Sequence, residues 1–238
     1  MLNIILDRKN RSRLIKMHPV LRRSFLITNP KDTEISDQEF YLIYANGIFT
    51  TNWFSIENAR LWLRAFKLDR QKIRNVLEIG SWEGRSTIFL AWLFYNAQIT
   101  CIDSFEGGDE HRRGEFENTK LSDVEQRFLK NTSHFNERLN IAKGRSSERL
   151  IVLATTSQKF DFIYVDGSHF YDDVMIDTIL SWKLLANGGF LVWDDYFWSM
   201  KKVYGKLNPR LAIDQFLTAY RGKYQVIFSG PQVAIRKL

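Results

Sequence analysis

Residues 76–86 read VLEIGSWEGRS. The β-branched, apolar run that ends at Ile79 has the length of a buried parallel strand. Gly80 and Gly84 follow at once, and an apolar segment of helical length begins at Ser86. This order predicts a strand, a glycine turn and the N-terminus of a helix.

A turn of this kind can bind a ligand. Unpaired N–H groups and the positive end of the helix dipole attract polar or negative groups, and glycine lets a ligand approach the backbone closely. The spacing Gly-x-x-x-Gly differs from the Gly-x-Gly-x-x-Gly that holds the pyrophosphate of a dinucleotide. The stretch therefore predicts either a site for another kind of ligand or an ordinary strand–helix turn without one.

Composition predicts a soluble globular protein of one main domain. The 238 residues are 45% hydrophobic and 26% charged, which is typical of a chain that buries a good core. Cys101 is the single cysteine, which excludes an internal disulfide and fits a reducing compartment. It lies in an apolar strand pattern, so we expect it to be buried. The sequence has no run of about 18 apolar residues and no secretory signal pattern, so we expect no membrane span and a cytoplasmic location.

The net charge of +7 lies almost entirely in the first 30 residues, which hold seven basic residues and one acid. Nucleic-acid binding is therefore not expected of the rest of the chain. The pattern of residues 1–51 predicts a basic N-terminal helical extension or cap. A solvated helix, a frayed end and a homo-oligomer contact remain alternatives for this region. Ser36, with Glu39 three residues later, predicts a capped helix start within it.

From residue 75 onward, strand-like runs alternate with helix-like runs, which predicts an α/β fold. We expect a Rossmann-like, seven-stranded, mostly parallel sheet flanked by helices and closed by a C-terminal antiparallel hairpin, in a domain over residues 52–238. Strands are expected near 75–79, 98–103, 139–143, 160–165, 189–194, 223–228 and 232–237. Helices are expected near 55–67, 84–96, 120–131, 146–154, 171–186 and 209–220, with Asn187-Gly188-Gly189 ending the helix over 171–186.

Acids stand at the ends of several predicted strands. Asp166 and the pair Asp194-Asp195 follow neighbouring strands, whose carboxyl ends meet at one edge of the sheet. Three carboxylates repel one another unless protons or a cation neutralise them, and Mg²⁺ prefers such oxygen ligands. The alternative is that Asp194 or Asp195 caps the segment that follows and no metal binds.

The pattern Glu-x-Gly-x-x-x-Gly-x-Ser at residues 78–86 resembles the first motif of class I S-adenosylmethionine (SAM) methyltransferases, in the form used by catechol O-methyltransferase-like enzymes. The resemblance covers residues 52–238 and implies SAM as the methyl donor. Within it, Asp103 would hold the ribose, and the turn at residues 144–146 would line the adenine. The implied donor-site residues are Glu78, Gly80, Ser81, Trp82, Ser86, Asp103, Ser104, Gly144, Arg145, Ser146 and Asp166.

A second set of motifs, Asp-Gly-Ser-His at 166–169 and Asp-Asp-Tyr at 194–196, is similar to macrolide and aminocoumarin sugar O-methyltransferases. It implies a Mg²⁺ site at Asp166, Asp194 and Asp195. His169 stands where the catechol-type enzymes carry a catalytic lysine, and an imidazole can accept a proton at neutral pH. A structural histidine bonded to Asp172 or to a backbone carbonyl is the alternative.

Three further features belong to this expectation. Residues 105–120, which include His111, form a long polar loop typical of a lid or binding loop. Ser146 or Ser147 is expected to cap the following helix. Aromatic residues on either side of the paired acids would wall an acceptor pocket or pack in the core; they are Trp193, Tyr196, Phe197 and Trp198.

The sequence thus predicts a SAM-dependent methyltransferase that methylates a hydroxyl of a small-molecule acceptor, of sugar or phenolic type, with help from a divalent cation. His169 would be the catalytic base. Three alternatives remain: a metal-independent methyltransferase, an NAD-binding oxidoreductase on the same architecture, and a non-catalytic nucleotide-binding protein.

Overall fold

The computed structural model describes residues 8–24, 35–108, 121–198 and 209–238. Seven strands form one sheet in the order β3-β2-β1-β4-β5-β7-β6. The first five strands in sequence pair in parallel, and the last two join antiparallel. The strands are β1 (Asn75–Ile79), β2 (Gln98–Asp103), β3 (Leu139–Lys143), β4 (Phe160–Val165), β5 (Leu185–Trp193), β6 (Tyr224–Ser229) and β7 (Val233–Lys237). The predicted fold class is confirmed.

Helices cover both faces of this sheet. In chain order they are α1 (Arg8–Lys16), α2 (Asp37–Ile43), α3 (Ile56–Phe66), α4 (Arg85–Leu93), α5 (Val124–Thr132), α6 (Ser146–Ala154), α7 (Tyr171–Leu184) and α8 (Pro209–Ala219), with 3₁₀ turns at Arg22–Ser24 and Ser133–Arg138. Among the residues described, no helix is long and apolar enough to cross a membrane. His111 and most of the predicted lid loop lie outside the described residues.

Two local predictions are wrong. Helix α7 ends at Leu184, and β5 begins at Leu185, four residues before the expected strand start. Leu185 pairs with Phe160, and the register shifts before the next pairs, so the Asn-Gly-Gly sequence lies inside an irregular strand instead of ending a helix. The second error concerns α6, whose N-cap residue is Arg145, with no side-chain capping bond from either serine.

The hydrophobic core lies on both faces of the sheet, as two clusters. Along β4, Phe162 and Tyr164 point to one cluster, and Ile163 and Val165 point to the other, because successive side chains of a strand alternate between faces. Helices α2 to α5 supply the first cluster, and α6 to α8 supply the second. Cys101 is buried in the first cluster, as expected.

The N-terminal segments pack on both clusters. Met17 and Leu21 are buried in the second cluster, while Phe40 and Tyr44 are buried in the first. The predicted capping box is confirmed, since the Ser36 hydroxyl accepts from the N–H of Glu39 and the Glu39 carboxylate accepts from the N–H of Ser36. A domain boundary near residue 51 stays a prediction.

Candidate functional site

A cavity of about 650 Å³ runs along the carboxyl edge of the parallel strands. The turns that follow β1, β2, β3, β4 and β5 all contribute to its wall. It is lined by every residue predicted for the donor, metal or catalytic site except one: Gly80, Ser81, Trp82, Ser86, Asp103, Ser104, Gly144, Arg145, Ser146, Asp166, His169, Asp194 and Asp195. The exception is Glu78.

The turn after β1 depends on Gly80. Its backbone has φ +87°, and an added Cβ would lie 1.9 Å from the carbonyl oxygen of Asp166. The Gly80 N–H donates to the carbonyl of Ile102, and the Asp166 N–H donates to the carbonyl of Ile79. The ends of β1, β2 and β4 can therefore meet only where this residue has no side chain.

Glu78 lies beneath the turn and not in the cavity wall. Its carboxylate is fully buried and accepts hydrogen bonds from the hydroxyls of Ser81, at 2.8 Å, and Thr87. Burial raises the pKa of Glu78 above its ordinary value, against the opposing effect of these hydroxyl donors. The geometry gives Glu78 the role of holding the turn that carries Ser81.

Asp103 ends β2 and joins the two neighbouring turns. Its carboxylate accepts from the N–H of Trp82 at 2.7 Å and from the N–H of Phe105 at 2.6 Å. Burial raises the pKa of Asp103, and these backbone donors oppose the rise. A carboxylate has about four acceptor positions, so two donors leave capacity for further hydroxyl donors from a ligand in the cavity.

The three predicted carboxylates converge where β4 and β5 end. The Tyr164 hydroxyl contacts both Asp166, at 3.0 Å from Oδ2, and Oδ2 of Asp194. Oδ2 of Asp194 also accepts from Nε2 of Gln232 at 2.9 Å, and its Oδ1 accepts from the Asp195 N–H. Burial, reinforced by neighbouring carboxylate charge, raises the pKa of Asp166 strongly and that of Asp194 to about 6.

His169 completes the cluster. Its Nε2 lies 2.8 Å from Oδ2 of Asp195, and its ring stacks on Trp198 with centroids 4.1 Å apart. The carboxylate partner is therefore Asp195, whereas the structural alternative had placed Asp172 in that position. Trp198 is the one residue of the predicted aromatic wall that lines the cavity.

Other aromatic residues beside the paired acids serve the core. Trp193 is buried and donates its indole N–H to Thr178, and Tyr196 donates its hydroxyl to Asp214. Tyr196 also accepts from the N–H of His18 in the N-terminal segment. The part of the chain that carries Asp195 and Trp198 is thus tied to residues 8–24.

Sequence reasoning missed three polar side chains around the carboxylates, namely Tyr164, Gln232 and Trp62. A signal existed for Tyr164, because it stands in β4 two residues before Asp166, the residue that follows the strand, and side chains two positions apart share a face. Gln232, just before β7, contacts Asp194, and Trp62 on α3 contacts Gln232; both approaches depend on the tertiary fold.

The donor chemistry of the cluster fits a hard divalent cation, since it offers three carboxylates and several neighbouring polar groups. Within the four ranges that the structure describes, no three His, Cys, Asp or Glu side chains are already arranged as metal ligands. Two of the carboxylates are instead turned toward protein donors, Asp194 toward Tyr164 and Gln232, and Asp195 toward His169.

Known proteins resemble this chain at two levels. Among curated sequences, the protein R132 of Acanthamoeba polyphaga mimivirus, described as uncharacterized, is 30% identical over 125 residues. The match covers 50% of each chain, so this protein spans about half the length of the curated relative it matches.

Among solved structures, an O-methyltransferase from Bacillus cereus in complex with SAH superposes with a TM-score of 0.59 at 16% identity, over 85% of this chain and 92% of that one. The MycE methyltransferase of the mycinamycin biosynthetic pathway, in complex with Mg and SAH, superposes with a TM-score of 0.52 at 19% identity, over 74% of this chain and 48% of that one. These likenesses show a shared fold.

A family model described as a methyltransferase domain matches residues 77–196. That range runs from the strand before the first glycine turn to the residue after the paired acids, so it contains most of the cavity wall. The chain therefore belongs to the methyltransferase domain family.

Proposed function

We propose that this protein transfers a methyl group from SAM to a hydroxyl oxygen of a small-molecule acceptor of sugar or phenolic type. One observation carries the proposal: a single cavity joins the predicted donor turns to three carboxylates and a histidine. Family membership supports methyl transfer. The likeness in fold to an O-methyltransferase crystallised with SAH supports the donor and the acceptor atom.

The donor half of the cavity is formed by the turns after β1, β2 and β3. Asp103 accepts the ribose hydroxyls in this proposal, and Ser146 and its neighbours line the adenine. Methyl transfer from a sulfonium is an in-line displacement, so the main task of these residues is to orient the donor against the acceptor. Their backbone positions are set before binding, because the turns are tied to one another through Gly80 and Asp103.

The acceptor half contains the base. In the neutral histidine tautomer that donates Nε2–H to Asp195, the lone pair lies on Nδ1. Nδ1 of His169 would then take the proton from the acceptor hydroxyl. Asp195 would hold the imidazole and stabilise its positive charge, and Trp198 would fix the plane of the ring.

A divalent cation held by Asp166, Asp194 and Asp195 belongs to this proposal. The hydroxyl of Tyr164 has one proton and so can donate to one of its two carboxylate neighbours at a time. Burial and mutual charge repulsion disfavour the fully ionised state of Asp166 and Asp194, so a proton or a cation has to offset their charge, and a bound cation would have that role here. When bound, such an ion supplies positive charge that orients acceptor oxygens and lowers the pKa of a hydroxyl.

The test is calorimetric titration of the full chain with SAM, with and without Mg²⁺, beside a titration with NADH. We expect micromolar binding of SAM. Methyl transfer is then assayed against a panel of sugar and phenolic hydroxyls, for the wild type, His169→Asn and Asp194→Asn. Asp161→Asn is a matched control, because Asp161 accepts two backbone N–H groups at the opposite end of β4.

We expect His169→Asn and Asp194→Asn to lower turnover at least a hundredfold, while Asp161→Asn keeps the wild-type rate in its folded fraction. Binding of NADH in place of SAM would replace the proposal with an oxidoreductase. SAM binding without transfer to any acceptor would favour a non-catalytic binding protein. Turnover that does not respond to Mg²⁺, its chelation or Asp194→Asn would identify a metal-independent methyltransferase.

A further inference from the structure

A chain of hydrogen bonds runs from the core to the carboxylate cluster. It starts at Trp62 on α3, which is fully buried and donates its indole N–H to Oε1 of Gln232 at 2.7 Å. The indole N–H can only donate, so it fixes which end of the Gln232 amide carries the oxygen. Nε2 of Gln232 must therefore face Asp194, where the distance is 2.9 Å.

Tyr164 is held in the same chain. Its hydroxyl lies 3.5 Å from Nε2 of Gln232 and contacts both Asp166 and Asp194. Its ring meets Trp62 edge-on, with centroids 4.8 Å apart. The side chain is fully buried, so the place of the hydroxyl between the two carboxylates is set by core packing.

We propose that Trp62, Gln232 and Tyr164 form a positioning device that fixes the orientation of the Asp166 and Asp194 carboxylates for a divalent cation. This inference rests on the cation of the proposed function. None of the three side chains contacts the methyl donor or the methyl acceptor in this proposal, so they are positioning residues. They prevent two adjacent buried carboxylates from turning apart under mutual repulsion, and outer groups of this kind orient metal ligands in proteins.

The device draws on three distant parts of the chain. Trp62 belongs to α3, Tyr164 to β4, and Gln232 precedes Val233, which pairs with Trp193 at the end of β5. The antiparallel return of β7 beside β5 therefore delivers Gln232 to Asp194. The C-terminal hairpin is part of the site for this reason, although the match to the methyltransferase family ends at residue 196.

The central experiment measures Mn²⁺ and Mg²⁺ binding to full-length Tyr164→Phe by calorimetry, with SAM titrated separately in the absence of the ion. We expect the Kd of the ion to rise about 10–100-fold, while the Kd of SAM stays within about twofold. The matched control is Tyr224→Phe. Tyr224 donates its hydroxyl to the carbonyl of Leu217 at 2.9 Å, in a buried contact that involves no residue of the cavity wall.

Both variants lose one buried hydroxyl, so both are expected to lower the melting temperature. Only Tyr164→Phe is expected to weaken binding of the ion. Gln232→Met provides a second variant of similar shape, and its effect on ion affinity should not add fully to that of Tyr164→Phe, because the two side chains act on one carboxylate. Equal ion affinity in Tyr164→Phe and Tyr224→Phe would overturn the inference.

Two further outcomes separate this inference from the proposed function. A wild type that binds SAM but no divalent ion would overturn the positioning device and leave SAM-dependent methyl transfer standing. A wild type that binds the ion but not SAM would overturn the proposed function, and the comparison of Tyr164→Phe with Tyr224→Phe would still decide the positioning role.

Discussion

The close approach of strands β1 and β4 gives a sharp test of how the cavity is built. Gly80→Ala adds one methyl group at φ +87°, and that group would meet the carbonyl oxygen of Asp166 at 1.9 Å. Gly222→Ala adds the same group at φ +83°, where nothing lies within 4 Å. The pair therefore separates the cost of a left-handed backbone from the cost of the steric overlap.

The expected magnitudes follow from these two environments. An L-residue in the left-handed region costs about 1–2 kcal/mol, so Gly222→Ala should lower the free energy of unfolding by that amount. In Gly80→Ala the backbone at the end of one strand must also move by about 1 Å, because Cβ atoms essentially never lie within 3.0 Å of another heavy atom that is not bonded nearby. Overpacking of this kind adds about 1–3 kcal/mol, which gives a total of about 2–5 kcal/mol.

The assays are urea unfolding of both variants and calorimetric titration with SAM. A shift of about 1 Å at the turn should weaken SAM binding by at least tenfold in Gly80→Ala, because orientation in such sites is sensitive at this scale. Gly222→Ala should bind SAM as the wild type does. Equal stability losses in the two variants, with unchanged SAM affinity in Gly80→Ala, would refute the steric argument.

Three further predictions concern stability. Leu21→Ala should lower the free energy of unfolding by about 2–4 kcal/mol in urea, because Leu21 is fully buried; a loss under about 1 kcal/mol would mean that the N-terminal segment is not part of the core. Glu83→Gln removes the negative charge of the buried Glu83–Arg127 pair and should lower the free energy of unfolding by about 3 kcal/mol. Glu125→Gln breaks the exposed Glu125–Lys143 pair and should lower it by under about 1 kcal/mol. Burial raises the pKa of Asp177 to about 7, so the folded protein keeps a proton that the unfolded chain loses near pH 4. As the pH rises from about 4 to about 8, the free energy of unfolding of the wild type should therefore fall by about 3–4 kcal/mol relative to that of Asp177→Asn. Urea unfolding of both proteins at the two pH values measures this difference.

Much of the fold could be predicted from local patterns. Apolar β-branched runs, glycine turns and helix-length segments identified all seven strands, since each pattern lies within a few residues. The strand over residues 185–193 shows the limit: its early start depends on the pairing of Leu185 with Phe160, and an Asn-Gly-Gly sequence looks locally like a helix end.

In the candidate site, too, some features could be predicted from the sequence and others could not. Acids at strand ends could be found in the sequence, because parallel strands carry their carboxyl ends to one edge of the sheet. The partners of those acids could not. His169 contacts Asp195 across 26 positions, and Gln232 reaches Asp194 across 38.

The sequence by itself determined which residues end the strands, where the chain turns through glycine, and which chemistry the edge of the sheet can offer. Only the tertiary structure decided that Glu78 supports the turn from below, that Trp62 holds Gln232 against Asp194, and that His18 contacts Tyr196. The physical reason is that propensity and periodicity act over a few neighbouring residues, whereas these contacts follow from how helices and strands far apart in sequence fill one core.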